Sequence, residues 1–348
     1  HIAVTHPLAQ GVRPYARTPT AAYRAPERSA DTDRPLRIAL LGYRSHPYSG
    51  GQGIYLRYLS QALHRLGHGV DVISGPPYPD LPEGVRLIQL PSLDLFENGL
   101  GSLQFHHLRS WSNVVEWTSK ATGGFAEPYS FGRRAVRYLR THRHDYDVVH
   151  DNQSLSYGML QLQAMGIPLL STVHHPITSD LRLALAQCQT PSERFWVRRW
   201  HSFLRMQRRV IRRLDHLVTV SERARQDIAR EFGIASSRLA VIHNGIDSTL
   251  FAPQAHIPRQ RCRLLTVASA DAPLKGLAVL LDAFAQLLSE HPDLTLRVVG
   301  RARPGGVTER LCAQLGIAQR VQFVSGLSTE HLVREYAEAT LAVVPSLY

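Results

Sequence analysis

Two adjacent histidines follow an apolar run that predicts a β-strand. The run is Pro168–Val173, and His174 and His175 come directly after it. Near neutral pH an imidazole can donate a hydrogen bond to a hydroxyl group or a phosphate, and adjacent histidines point in different directions. We therefore expect one of the two to contact a ligand, the alternative being that both only cap or pack the loop. No third histidine or nearby cysteine stands at ligand spacing, so the pattern does not indicate a metal site.

A glycine pair and a lysine stand at the starts of two predicted helices. Gly50 and Gly51 precede a helix predicted over Gln52–Leu66, where free backbone N–H groups favour a phosphate and glycine lets it approach. The loop has neither a GxGxxG nor a Walker A pattern, so a plain tight turn is the alternative. Lys275, one of two lysines in the chain, stands with Gly276 at the second helix start. An ammonium group and a helix N-terminus together suit a diphosphate, and a solvated surface lysine is the alternative.

Three more residues follow predicted strands in the second half of the chain: Ser269, Gly300 and Ser325. In open parallel sheets, ligands bind outside the carboxyl ends of the strands. We expect a base or a ribose to pack against the loops at Gly300 and Ser325, and we expect Ser269, in the loop before Lys275, to contact the donor.

The elements that must position these residues form two alternating β and α series. After a tail over residues 1–35, one series covers residues 36–250, a linker covers 251–261, and a second series covers 262–348. Short apolar strands alternating with helices indicate parallel sheets. The sequence therefore predicts an α/β fold with two Rossmann-like, doubly wound domains facing a cleft.

The composition narrows the class of protein. The chain has 348 residues and a net charge of +12, which suits an anionic partner. Three separated cysteines support neither a disulfide framework nor a zinc site. No run of about 18 apolar residues and no signal-peptide pattern is present. These features predict a cytoplasmic protein.

Much of the positive charge lies in one segment. Residues 194–213 contain eight arginines and no acid, and their apolar residues recur at helical spacing. A basic amphipathic helix with aromatic residues suits an anionic membrane surface, so the protein would be peripheral at the inner face of the membrane. The alternative is a solvated arginine face. No motif typical of nucleic-acid binding accompanies the charge, so nucleic acid is not expected as a partner.

An ordered set of motifs resembles a known family. These are the Gly50-Gly51 loop with its helix, Thr172-Val173-His174, Val241–Asp247, Lys275-Gly276 and Ala342–Tyr348. Together they resemble the retaining, nucleotide-sugar-dependent glycosyltransferases of family 4, which have the GT-B fold. The resemblance covers about residues 36–348. It implies transfer of a sugar from a nucleoside-diphosphate sugar to an acceptor such as a lipid, a glycan or a small molecule.

The resemblance also implies roles for particular residues. Gly50 and Gly51 would meet the donor diphosphate from the first domain, and Lys275 would neutralise it from the second. His174 would hydrogen-bond the transferred sugar or lie beside the reacting centre. We expect His175 and Asp151 on the acceptor side, with Asn244, Gly245 and Asp247 at the start of the interdomain hinge. No metal, cofactor or protein nucleophile is expected.

Two departures from the family pattern stand out. Ala270 occupies the position where the family commonly has an arginine, and Arg301 is a candidate substitute. The acidic residues that grip the donor in the family would follow Tyr348, so we expect the second domain to be incomplete and this stretch of chain to be inactive by itself. Two other functions stay open: a GT-B sugar-nucleotide epimerase, and a non-catalytic relative that binds a nucleotide or a lipid.

Overall fold

The computed structural model describes residues 34–46, 51–93, 110–268 and 275–347. Two predicted donor contacts, Gly50 and Ser269, lie outside the described residues. So do residues 1–33 of the predicted tail.

The first sheet has seven strands among the described residues, all parallel, in the order β3-β2-β1-β4-β5-β6-β7. Continuous apolar runs such as Ile38–Leu41 are buried on both faces, as parallel strands covered by helices require. The strands are β1 Arg37–Gly42, β2 Gly69–Ser74, β3 Arg86–Gln89, β4 Val148–Asn152, β5 Leu169–Val173, β6 Leu217–Thr219 and β7 Leu239–Val241.

Helices connect these strands and cover both faces of the sheet. One apolar cluster joins α3, α4 and α7 to one face, and a second cluster around Leu56 joins α1 to the other. The helices are α1 Gly51–Arg65, α2 Trp111–Ala121, α3 Glu127–His142, α4 Tyr157–Ala164, α5 Thr178–Gln187, α6 Pro191–Trp200, α7 Leu204–Ile211 and α8 Glu222–Phe232.

A second parallel sheet follows, with four strands in the described part, in the order β10-β9-β8-β11. Its core centres on Leu281, Phe284 and Val298. The elements are β8 Arg263–Val267, α9 Leu277–Leu287, β9 Thr295–Val299, α10 Val307–Gln314, β10 Val321–Val324, α11 Thr329–Glu338 and β11 Leu341–Ala342. Two parallel sheets with alternating helices confirm the predicted fold class.

Each sheet has one point where the strand order reverses. The chain builds β1, β2 and β3 outward and then returns to place β4 on the other side of β1. The second sheet does the same when β11 joins β8. The carboxyl ends of β1 and β8 lie at these points, and open α/β sheets bind ligands at such positions.

The arginine-rich segment is not the single helix that its spacing predicts. Helix α6 ends at Trp200, and a 3₁₀ turn over His201–Phe203 leads into α7. Trp196 and Trp200 are exposed, whereas Phe203 and the apolar residues of α7 are buried in the core. A single straight helix cannot serve these two environments, because its apolar residues would share one face. Contact with an anionic membrane surface stays a prediction, and within the described ranges no helix is long and apolar enough to cross a bilayer.

Candidate active site

His174 lies where β5 ends, beside the loop that follows β4 and the first turns of α1. Its Nε2 is 2.6 Å from Oδ1 of Asn152, the last residue of β4. The Asn152 amide donates through Nδ2 to the carbonyl oxygen of Gln52 in α1, at 3.2 Å. That second bond fixes which amide atom is the oxygen, so Nε2 of His174 is the donor in the first. The imidazole therefore presents Nδ1 as a hydrogen-bond acceptor.

Burial keeps this imidazole neutral. Burial and, to a smaller extent, the neighbouring His175 lower the pKa of His174 from 6.5 to about 4. The ring also meets the edge of Tyr55, with 4.6 Å between centroids. The sequence-based expectation was an imidazole that donates to a ligand. The geometry indicates the opposite direction, because the one N–H of the neutral ring is already used by Asn152.

Gln153 holds the histidine loop in place. Its Oε1 accepts from the backbone N–H of His174 at 2.7 Å, and its Nε2 donates to the carbonyl oxygen of His175 at 2.8 Å. The residue is buried and has a φ of 54°, a left-handed conformation that costs free energy for a residue with a side chain. Sequence reasoning missed both Asn152 and Gln153. The signal was a pair of amides directly after a buried strand.

Asp151 is fully buried, and its carboxylate shapes the loop after β4. It accepts from the backbone N–H groups of Ser154 at 3.2 Å and Leu155 at 3.1 Å. Burial raises the pKa of Asp151 to about 6. This placement favours a structural role over the predicted acceptor contact. His175 is half-buried, with Nε2 3.4 Å from Oδ2 of Asp180.

A second histidine lies behind His174. Nε2 of His150 is 2.6 Å from Oγ1 of Thr172, and the hydroxyl of Tyr55 is 3.5 Å from that same oxygen. Burial lowers the pKa of His150 to about 4. Neutral polar groups thus fill the space between β4, β5 and α1.

The second sheet presents Lys275 and Gly276 at the entry to α9. Lys275 is exposed, and within the described ranges no acidic group pairs with it. Gly276 has a φ of 65°, and a Cβ there would collide with the backbone carbonyl of Pro345 in the loop after β11. Only glycine allows the entry of α9 to approach the loop after β11 this closely.

The other predicted donor contacts lie at the expected helix start and strand ends. Gly51 is the exposed first residue of α1, with open space where a side chain would stand. Gly300 follows β9 and donates its N–H to the carbonyl of Val324 at 2.7 Å, and Ser325 follows β10 and is exposed. Arg301, the candidate substitute for the missing loop arginine, is exposed beside Gly300. Their contact with a donor stays a prediction.

The predicted hinge residues follow β7. Asn244 and Gly245 are exposed. The carboxylate of Asp247 accepts from the N–H and hydroxyl of Thr249 and from the N–H of Leu250, and these bonds lower its pKa. Asp247 therefore shapes the turn where the first series ends.

Comparison with known families agrees with this arrangement. The profile of Glycosyltransferase Family 4 matches residues 49–250, and that of Glycosyl transferases group 1 matches residues 261–348. The chain belongs to glycosyltransferase family 4. It is 44% identical over 320 residues to the MMP alpha-(1->4)-mannosyltransferase of Mycolicibacterium hassiacum, covering 90% of this chain and 76% of the relative. It is 26% identical to the D-inositol 3-phosphate glycosyltransferase of Streptomyces scabiei, covering 90% and 71%.

Solved structures support the same fold for this family 4 member. The sucrose-phosphate synthase of Thermosynechococcus elongatus aligns with a TM-score of 0.62 at 21% identity, covering 90% of this chain and 76% of the synthase. WaaG, a glycosyltransferase of lipopolysaccharide biosynthesis, aligns with a TM-score of 0.58 at 18% identity, covering 89% and 75%. The chain is therefore a glycosyltransferase, and its structural neighbours have the GT-B fold.

Proposed function

We propose that the chain transfers a mannosyl group from a nucleoside-diphosphate mannose to a hydroxyl group of an acceptor sugar, with retention of configuration. The observation that carries this proposal is the 44% identity, over 90% of the chain, to a protein named as an alpha-(1->4)-mannosyltransferase. Retention and the nucleotide-sugar donor follow from the family resemblance.

The reaction places negative charge on the leaving group. The bond between the anomeric carbon and the phosphate oxygen breaks, the acceptor oxygen bonds to the same face of that carbon, and the acceptor proton passes to the departing diphosphate. A fixed cation at the diphosphate stabilises the transition state more than the ground state. We assign this role to Lys275, with the helix N-termini at Gly51 and Gly276 and without a metal ion.

His174 would orient the transferred sugar. A neutral Nδ1 accepts a hydrogen bond from a sugar hydroxyl and places no positive charge beside an anomeric carbon that becomes cationic in the transition state. Asn152 and Gln153 hold the ring and its loop, so little reorganisation is needed when the donor binds.

The test is a donor and acceptor screen with protein purified from its complete reading frame, because residues 1–348 are not expected to be active by themselves. Nucleoside diphosphates of mannose, glucose and galactose are each incubated with mannose and with short α-(1→4)-linked mannose oligosaccharides, and products are identified by mass spectrometry. We expect one added hexose from the mannose donor only. Epimerised sugar nucleotide formed without acceptor would contradict the proposal, as would donor binding without turnover.

A further inference from the structure

A pocket of about 430 Å³ lies on the first domain and is not used in the proposed transfer step. It is an open pocket lined by α2, the start of α3, the start of α4 and the turn between α6 and α7. Because α3 leads into β4 and α4 leaves it, these helix starts lie at the carboxyl edge of the sheet. The volume is in the range of about 300–1,000 Å³ that is typical of small-molecule sites.

A chain of side-chain contacts links the pocket to His174. Phe125 lines the pocket and meets the ring of Tyr43 at 6.4 Å between centroids, edge to face. Tyr43 follows β1, and its side chain hydrogen-bonds that of Gln52, whose carbonyl accepts from Asn152. The pocket is thus linked to His174 through Phe125, Tyr43 and the Gln52–Asn152 hydrogen bond, and His174 itself does not line it.

Part of the pocket lining is aromatic. Phe125, Tyr129, Tyr157 and Phe203 line it, and Phe125 is held by stacking on Trp200 with 5.2 Å between centroids. A pyranose has an apolar C–H face, and an aromatic ring offers it a large rigid contact area at little entropic cost.

The lining also carries hydroxyl groups and a cation. Arg199 donates to Oγ of Ser202 at 3.0 Å and to Oγ1 of Thr122 at 2.6 Å, and no carboxylate pairs with it in the part of the chain that the structure describes. Thr118 adds a third hydroxyl. Such a wall offers donors and acceptors to the hydroxyl groups of a sugar.

Close helix packing supports the pocket. A Cβ at Gly158 of α4 would collide with the backbone of Gly132 in α3, so the absence of both side chains allows the two helices to touch. Tyr129 and Tyr157 therefore line the pocket from two helices whose backbones touch, and a preformed pocket lowers the entropic cost of binding.

We propose that this pocket binds a sugar ring of the acceptor other than the ring that receives the mannosyl group. The inference rests on the proposed function and makes it more specific: the acceptor is an oligosaccharide, with one ring near His174 and another between Phe125 and Arg199.

The test compares a pocket-filling variant with a matched control. Ala126 lines the pocket, whereas Ala121 is exposed at the end of α2 and does not line it. The probes are mannose and α-(1→4)-linked mannotriose. Their binding is measured by saturation-transfer NMR in the absence of donor, and mannosyl transfer to them is measured as kcat/KM. Wild-type protein should prefer the trisaccharide by about tenfold or more. In A126F the preference for the trisaccharide should fall to about twofold, while binding and transfer with mannose stay unchanged. A121F should keep the wild-type preference.

A second variant protects against a folding defect. Thr118 is exposed and its hydroxyl bonds only carbonyls of its own helix, so T118F fills the pocket from the surface. It should also lose the trisaccharide signal. Unchanged trisaccharide binding in both filled variants would overturn the pocket assignment, as would equal affinity of wild-type protein for mannose and mannotriose. Absence of transfer despite trisaccharide binding would instead refute the proposed function alone.

Discussion

The carboxyl edges of the two sheets are organised differently. At the first edge, buried side chains bond to one another and to backbone groups: Asn152 to His174 and Gln52, and Gln153 to both histidines of the loop. At the second edge, Lys275 and Ser325 are exposed. The polar groups at the first edge bond within the protein, whereas those at the second edge are exposed and can be reached by a ligand.

The second sheet does contain a network of charges, but at its opposite edge. Arg263 begins β8 and pairs with Glu335 and with Glu338, the latter at 2.7 Å, and Arg297 pairs with Glu335 at 2.9 Å. Charges that pair with each other hold α11 against the sheet. Lys275, by contrast, is exposed, and its proposed role at the donor diphosphate requires that access.

The largest expected effect comes from removing the charge at the second edge. K275M should lower kcat/KM about 100- to 1,000-fold, because the leaving diphosphate loses its cation. K275R should restore part of the activity. The matched control is K120M, which alters the other lysine of the chain, on α2, and should leave activity unchanged. A K275M enzyme with normal turnover would refute the assignment.

At the first edge, Gln153 can be compared with a glutamine that makes the same kind of bridge elsewhere. Gln163 in α4 donates to the carbonyl of Arg213 and accepts from the N–H of Asp215, far from the site in the fold. Q153M should lower the free energy of unfolding by about 1–3 kcal/mol and reduce kcat, because two backbone groups of the histidine loop lose their partner. Q163M should affect stability without affecting kcat. Equal effects on kcat would show that the bridge at Gln153 has no special role.

Substitutions at two glycines can distinguish an effect on packing from an effect on ligand binding. G276A should cost about 1–2 kcal/mol from its left-handed conformation alone, and more from the collision with Pro345, in urea denaturation. G51A has open space, so it should leave the fold intact or raise stability by about 0.5–1 kcal/mol. If the donor diphosphate approaches Gly51, the KM for the donor should nevertheless rise. An unchanged donor KM in G51A would remove Gly51 from the donor site.

The last expected effect is a pH dependence of stability. Because the folded-state pKa of His174 is about 4 and its ordinary value is 6.5, the unfolded chain binds more protons between these values. This histidine therefore contributes stability that is lost as pH falls from about 6.5 towards 4. Asp151, with a pKa raised to about 6, acts in the opposite direction over a similar range. H174Q should show a smaller rise of unfolding free energy with pH than wild type, and parallel curves would contradict a neutral, buried imidazole.

Much of the fold could be predicted from the sequence, because strong apolar runs such as Ile38–Leu41 and Val321–Val324 specify buried parallel strands. The positions of His174 and Lys275 at strand and helix ends also followed from pattern. The break between α6 and α7 did not, because helical spacing alone does not reveal that Trp200 faces solvent and Phe203 the core.

The details of the site could be predicted less well from the sequence. The direction of the hydrogen bond at His174 depends on an amide that meets it only after β4 and β5 pair. The burial of Asp151 likewise depends on the loop folding over it. Sequence spacing carries no information about either contact.

The anomeric configuration of the product tests the central claim most directly. Purified protein is given an α-linked nucleoside-diphosphate mannose and an α-(1→4)-linked mannose oligosaccharide, and the new linkage is examined by proton and carbon NMR. The account predicts an α-linked mannosyl residue, formed by same-face transfer with Lys275 at the diphosphate and His174 at the sugar. A β-linked product would contradict it.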